Sequence, residues 1–222
     1  IIVSAIEHEA VLNTVKAMAR HGWKVTVLPV GASGVVATDA LRDAIDDQTA
    51  IVSVMHANNE LGTIQPVDEL AAISHDHGAL FHTDAVQSAG KLPLNARASG
   101  IDLLSLSSHK FGGPKGVGAL WIRRGLSLRA VMTGGRQERG RRAGTENVPA
   151  IMAMGVAAAI ARERLPASSD RIAVLRDRLE ASILAGVPGS VVNGASRPRT
   201  ANTTNISFDH VEGEALVMAL DM

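Results

Sequence analysis

The chain has 222 residues, 46% of them hydrophobic, with 22 Lys and Arg against 22 Asp and Glu and no cysteine, enough for one large domain or for one domain and part of a second. Balanced charge leaves no electrostatic footprint for nucleic acid or an anionic membrane, and the missing cysteine excludes disulfides and thiolate-metal sites from these residues. No apolar run approaches the ~20 residues of a spanning helix, and the cytoplasm is the expected setting.

Strand and helix signals alternate along the chain. Residues 1–4 read as a strand, and 9–20 carry apolar side chains at helical spacing that stop at Gly22. A strand is expected at 25–30 and a short amphipathic helix at 38–45. The β-branched run Ile51-Val52-Ser53-Val54-Met55 suits a strand buried on both faces. A helix over 67–76 ends at Gly78, and strands begin at 79, 103 and 117. Residues 149–165 read as a long apolar helix. Pro166-Ala167-Ser168-Ser169 is expected to break it, with a serine capping a further helix over 170–184. Short strands at 191–192 and 205–208 and a helical pattern from Glu212 complete the chain. Both termini fall inside apolar patterns, so the chain is expected to be an internal piece of a longer protein.

Such alternation predicts an α/β fold, a three-layer α/β/α domain with a mostly parallel sheet. A boundary is placed near Pro166, giving a large domain over 1–165 and the start of a smaller α+β domain over 166–222. Ligands of parallel sheets bind beyond the carboxyl ends of the strands. Polar clusters occupy those ends after Met55, Phe81 and Leu106.

The turn Ser107-Ser108-His109-Lys110-Phe111-Gly112-Gly113 holds one of only five lysines, with Lys16, Lys24, Lys91 and Lys115. A plain reading makes Lys110 a surface lysine. The chemical reading makes it the amine that forms a Schiff base with pyridoxal phosphate, with Ser107 and His109 as phosphate donors. Asp84, ending an apolar strand, caps a helix or pairs with the protonated pyridine nitrogen. Gln87, three residues on, is placed to reach the phenolic oxygen. Asn58-Asn59 is a turn or a pair of ligand hydrogen-bonding groups. His8 is a helix-start residue or a ring stacked on the cofactor. His75 and His77 do not share a helix face, so no metal site is expected. The loop 134–147, rich in Gly and Arg, is a solvated loop or an anion-binding loop ending in Thr145 at a helix start.

Five segments occur in an order that resembles the cysteine desulfurases, class V members of the fold-type I pyridoxal-phosphate enzymes. They are Glu7-His8-Glu9-Ala10-Val11, Asn58-Asn59-Glu60-Leu61-Gly62, His82-Thr83-Asp84-Ala85-Val86-Gln87, Ser107-Ser108-His109-Lys110 and Arg141-Arg142-Ala143-Gly144-Thr145-Glu146-Asn147. The likeness is to the NifS/IscS-type branch and covers the whole chain. It implies that Lys110 is the Schiff-base lysine and that His8 stacks on the cofactor ring and assists proton transfer. It implies Asp84 at the pyridine nitrogen, Asn59 and Gln87 near the phenolic oxygen, and Ser107 and His109 on the phosphate. Thr145 would reach the phosphate of the other subunit, so a homodimer with shared sites is expected. The implied reaction takes sulfur from L-cysteine, leaves L-alanine and an enzyme persulfide, and delivers the sulfur to an iron–sulfur scaffold or another acceptor protein. The nucleophilic cysteine and the carboxylate-binding arginine of that family are not found here, so these residues alone are expected to be inactive in sulfur transfer. Alternatives are a selenocysteine lyase, another class V aminotransferase, or a non-catalytic relative.

Overall fold

The computed structural model describes residues 1–194 and 198–222. Short runs of aliphatic and β-branched residues set the sheet. Strands β1 (Ile2–Ser4), β2 (Thr26–Leu28), β3 (Ile51–Ser53), β4 (Leu80–Asp84), β5 (Leu103–Ser107) and β6 (Gly118–Ile122) lie in the order β2-β1-β3-β4-β5-β6. The first five run parallel, and β6 pairs antiparallel with β5. The expected α/β fold with a mostly parallel sheet is therefore present.

Helices α1 (Glu9–Arg20), α2 (Thr38–Ala44) and α3 (Val67–Asp76) link the strands. The chain steps one way from β1 to β2 and the other way from β3 to β5. The strand order thus reverses between β1 and β3. Right-handed crossovers then put α1 on one face and α2 and α3 on the other. The core agrees: Leu41 of α2 and Leu70, Ala71 and Ile73 of α3 close on Ile2, Val52 and Phe81, while the buried Val15 of α1 lies outside that cluster. Fully burying a side chain such as Phe81 stabilises the fold by roughly 1.5–3 kcal/mol. Gly78 stops α3 with φ +72°, and the N–H of Ala79 bonds back to the carbonyl of Ser74 at 2.9 Å. This left-handed end is one that glycine reaches without a Cβ clash.

A loop carrying one short turn, α4 (Gln137–Gly140), leads to α5 (Val148–Gly186). Helix α5 corrects the sequence reading. It runs 39 residues with Pro166 inside it, where a break between two helices was expected. Pro166 removes one backbone donor and crowds the carbonyl of Arg162, but Ala-, Leu-, Arg- and Glu-rich turns on both sides carry the helix through. Ser168 and Ser169 are helix interior rather than caps. The cap lies at Asn147, whose side chain accepts from the N–H of Ala150 at 3.3 Å. Thr145 thus lies two residues before the cap Asn147 instead of forming the helix start.

After α5, β7 (Ser190–Val192) and β8 (Ile206–Phe208) form a two-stranded antiparallel sheet, and α6 (Gly213–Asp221) follows. Between the strands, residues 198–204 return to the loop after β3. There Ile64 donates to the carbonyl of Pro198 at 2.9 Å and Thr200 to that of Gly62 at 2.8 Å. Arg199 grips Glu180 of α5 with two bonds of 2.8 and 3.0 Å. The Arg199 guanidinium holds the Glu180 carboxyl below its usual range, helped by the Thr204 hydroxyl.

Candidate functional site

The carboxyl ends of β1, β3, β4 and β5 stand side by side, at the reversal of strand order where parallel sheets take ligands. His8 follows β1, Asn59 follows β3, Asp84 ends β4 and Ser107 ends β5. Backbone bonds fix these ends to one another. His56 donates to the carbonyl of Asp84 at 2.9 Å, and Ala85 donates to that of Ser105 at 3.0 Å.

A 3-10 turn over Ser108–Lys110 carries the chain directly out of β5. The N–H of Gly113 closes it on the carbonyl of Ser108 at 3.0 Å. A Cβ on Gly113 would lie 2.0 Å from Ser108 Oγ and 3.2 Å from both the Ser108 carbonyl and Ala157, so any larger residue there displaces the Ser108 hydroxyl. Lys110 is exposed and borders a cavity of about 460 Å³ between this turn and α5, with Gly90, Phe111, Ala157 and Arg164. Its amine has no hydrogen-bond or ion-pair partner among the described residues.

The other expected residues divide. His8 does act at a helix start: its Nδ1 accepts from the N–H of Ala10 at 3.1 Å, while the ring is exposed. Asp84 is half-buried, and its Oδ1 accepts from Val86 at 2.9 Å, leaving its second oxygen free of protein partners among the described residues. Asn58 holds its own loop, accepting from Glu60 and Leu61 and donating to the carbonyl of Ile6. Asn59 is exposed beside it. Ser107 Oγ and His109 Nδ1 bond each other at 2.9 Å, so these two groups form one unit. Gln87 already holds a partner, Lys91, whose Nζ donates to its Oε1 at 2.8 Å. Thr145 is exposed on the loop before α5, apart from the strand ends in sequence and, among the described residues, with no bond that ties it to them.

Several groups at this edge escaped the sequence reading. Glu7 is 5% exposed; one oxygen accepts from Ser4 and, at 2.7 Å, from the N–H of Met55, bridging the ends of β1 and β3. Its second oxygen is buried without a partner among the described residues. Burial pushes its carboxyl up to about 7, against the two hydrogen bonds, with the Asp84 charge adding to the rise. The signal was there: an acid at a strand-to-helix turn, next to His8. His82 spans three strands, bonding Ser53 at 2.7 Å and Ser105 at 2.9 Å. His56 bonds Ser88 at 2.9 Å. Burial holds both imidazoles below their usual range, so they are neutral at pH 7. Ser108 Oγ is a second buried oxygen without a partner among the described residues.

At the opposite end of the sheet, His75 pairs with the buried Asp102 at 2.8 Å, and Asp102 also takes Arg123 and the N–H of Phe81. No group of His, Asp and Glu able to hold a metal occurs among the described residues. No helix there is long and apolar enough to cross a membrane.

The site thus joins a free primary amine, a carboxylate on the adjacent strand end and a hydroxyl–imidazole pair able to donate to an anion. Comparison with known proteins agrees with that chemistry. The family described as "Aminotransferase class-V" matches residues 1–222. A cysteine desulfurase of Gluconacetobacter diazotrophicus is 50% identical over 222 residues, which cover all of this chain and 56% of that protein. A solved NifS-like protein superposes with a TM-score of 0.92 at 39% identity, over 99% of this chain and 60% of its own. A structure described as SspA in complex with cysteine gives 0.83 at 36%, over 99% and 60%. The chain therefore spans a little over half the length of the relatives it matches.

Proposed function

The chain belongs to the aminotransferase class-V family, and from that premise we propose that it forms the cofactor-binding body of a pyridoxal 5'-phosphate-dependent cysteine desulfurase. The observation that carries this reading is the side-by-side placement of Asp84 and the Lys110 turn on adjacent parallel strand ends. The donor set fits the cofactor. An aldehyde needs a free primary amine, a pyridinium nitrogen needs a carboxylate, and a phosphate needs donors. Lys110, Asp84 and the Ser107–His109 pair supply them in that order, with the unpartnered Ser108 hydroxyl close by. Asn59 and Gln87 stand for the phenolic oxygen, and His8 for the ring face.

When bound, the cofactor supplies an electron sink for charge developing at the substrate α-carbon. Asp84 would hold the cofactor through its pyridine nitrogen, its carboxylate favouring the protonated ring. Lys110 receives the α-proton of L-cysteine at Nζ. Ser107 and His109 would hold the cofactor phosphate. L-cysteine loses its sulfur to a thiolate and leaves as L-alanine, a persulfide forming on the acceptor. No cysteine occurs in these 222 residues, so that thiolate is not among them. The persulfide sulfur would pass to an iron–sulfur scaffold or another acceptor protein, in the cytoplasm.

The reading includes a division near Pro166, with 1–165 as the cofactor domain and 166–222 as part of a smaller domain, spanned by α5. It also includes a homodimer with shared sites, Thr145 reaching the partner's phosphate. The exposed apolar side chains of α5, among them Met152 at 67% and Val156 at 60%, support a covered face there. The test is L-alanine release from L-cysteine by a holoenzyme in which these residues are joined to the segment carrying the acceptor thiolate, compared with its Lys110→Ala variant. Loss of at least about 10³-fold is expected for a residue acting as base and cofactor anchor. Equal rates would overturn the assignment.

A further inference from the structure

Lys91 is the third of the chain's five lysines, and no motif above accounts for it. It lies in the turn following Gln87, half-buried, with its Nζ 2.8 Å from Gln87 Oε1. An ammonium only donates, so the atom facing it must be the carbonyl oxygen of the amide. Chemistry therefore fixes which way the Gln87 amide points. Flipping it would set N–H against N–H⁺ across a short, partly desolvated contact. With its oxygen held toward Lys91, Gln87 turns its NH2 away from the ammonium, and that group has no protein partner among the described residues.

We propose that Lys91 is a positioning residue that locks Gln87 as a hydrogen-bond donor toward the bound cofactor. The inference rests on the reading that Gln87 meets the phenolic oxygen of pyridoxal phosphate. A donor there favours the anionic oxygen; a flipped amide would present its own oxygen and repel it. Geometry and burial both point to a built contact. Burial lowers the Lys91 amine, and the nearby Lys110 charge lowers it further, so Lys91 stands within electrostatic reach of the site lysine. A surface lysine would be free of both influences.

The experiment compares wild-type, Lys91→Met, Lys91→Arg and Gln87→Glu holoenzymes by cofactor dissociation constant and by the position of the cofactor absorption band. Thermal midpoints are measured on the cofactor-free proteins. Lys91→Met is expected to weaken cofactor binding about tenfold, the worth of one hydrogen bond to a charged group, and to shift the band. Lys91→Arg, still donor-only, is expected to restore both. Gln87→Glu keeps the pair but loses the NH2 donor, and is expected to give the band shift of Lys91→Met. Unchanged binding and band in Lys91→Met overturn the inference, as does an arginine variant no better than methionine. If wild-type protein takes up no pyridoxal phosphate, the functional reading falls and this inference with it. Binding by wild type with no effect of Lys91 removes the inference alone.

Discussion

Glu7 carries the largest resolved electrostatic strain at the site. Folded, it keeps its proton up to about pH 7, while its ordinary value is 4.5. Between those values the folded state binds more protons than the unfolded chain. Stability therefore falls as pH rises from 4.5 to 7 and stays low above. At ~1.4 kcal/mol per unit, the ionised carboxylate costs about 3 kcal/mol above pH 7. Glu7→Gln keeps the acceptor for Ser4 and Met55 without the charge. Urea unfolding should show it more stable than wild type by about 1–3 kcal/mol at alkaline pH, with little difference near pH 4. An unchanged pH slope would contradict this account of Glu7. Asp84 answers to a different measurement. Asp84→Asn should still take up the cofactor, yet lose about 10²-fold or more in turnover, because a neutral amide cannot hold the ring nitrogen protonated. Turnover at the wild-type rate would remove that role.

At the scale of elements, the periodicities located the sheet well. The β-branched run at Ile51 and the glycine stop at Gly78 are local signals, and local physics decides them. Helix α5 was misread because a proline's local penalty was taken as final, whereas the Ala-, Leu-, Arg- and Glu-rich turns on either side of it carry a 39-residue helix through. Pro166→Ala tests that balance. It restores a donor for the carbonyl of Arg162 and should stabilise the protein by about 1–2 kcal/mol, less than the full proline penalty because the unfolded chain also gains freedom. A fall in thermal midpoint would mean that the proline shapes the helix. The Lys110 turn makes the opposite prediction: Gly113→Ala drives a methyl into Ser108 Oγ, and should destabilise by more than about 1 kcal/mol and impair cofactor uptake. What stayed hidden in sequence were side-chain partners. Lys91 with Gln87 and Ser107 with His109 are set by turn geometry, and Glu7 with Met55 by strand register. The motif residues were legible as types at strand ends, but their partners were not.

For the molecule as a whole, the strand reversal between β1 and β3 explains why dispersed motifs converge. Five segments spread from Glu7 to Asn147 serve one proposed site, and four of them sit on neighbouring strand ends. Thr145 alone stands apart, which is what a residue acting on a partner's site would do. Mixing Thr145→Ala subunits with Lys110→Ala subunits should regain about one working site per heterodimer under shared-site catalysis. No regain would confine Thr145 to its own subunit. The most direct test of the central claim is chemical: load the protein with pyridoxal phosphate, reduce it with borohydride and map the modified peptide. The account predicts the label on Lys110. A label on Lys16, Lys24, Lys91 or Lys115 would contradict it.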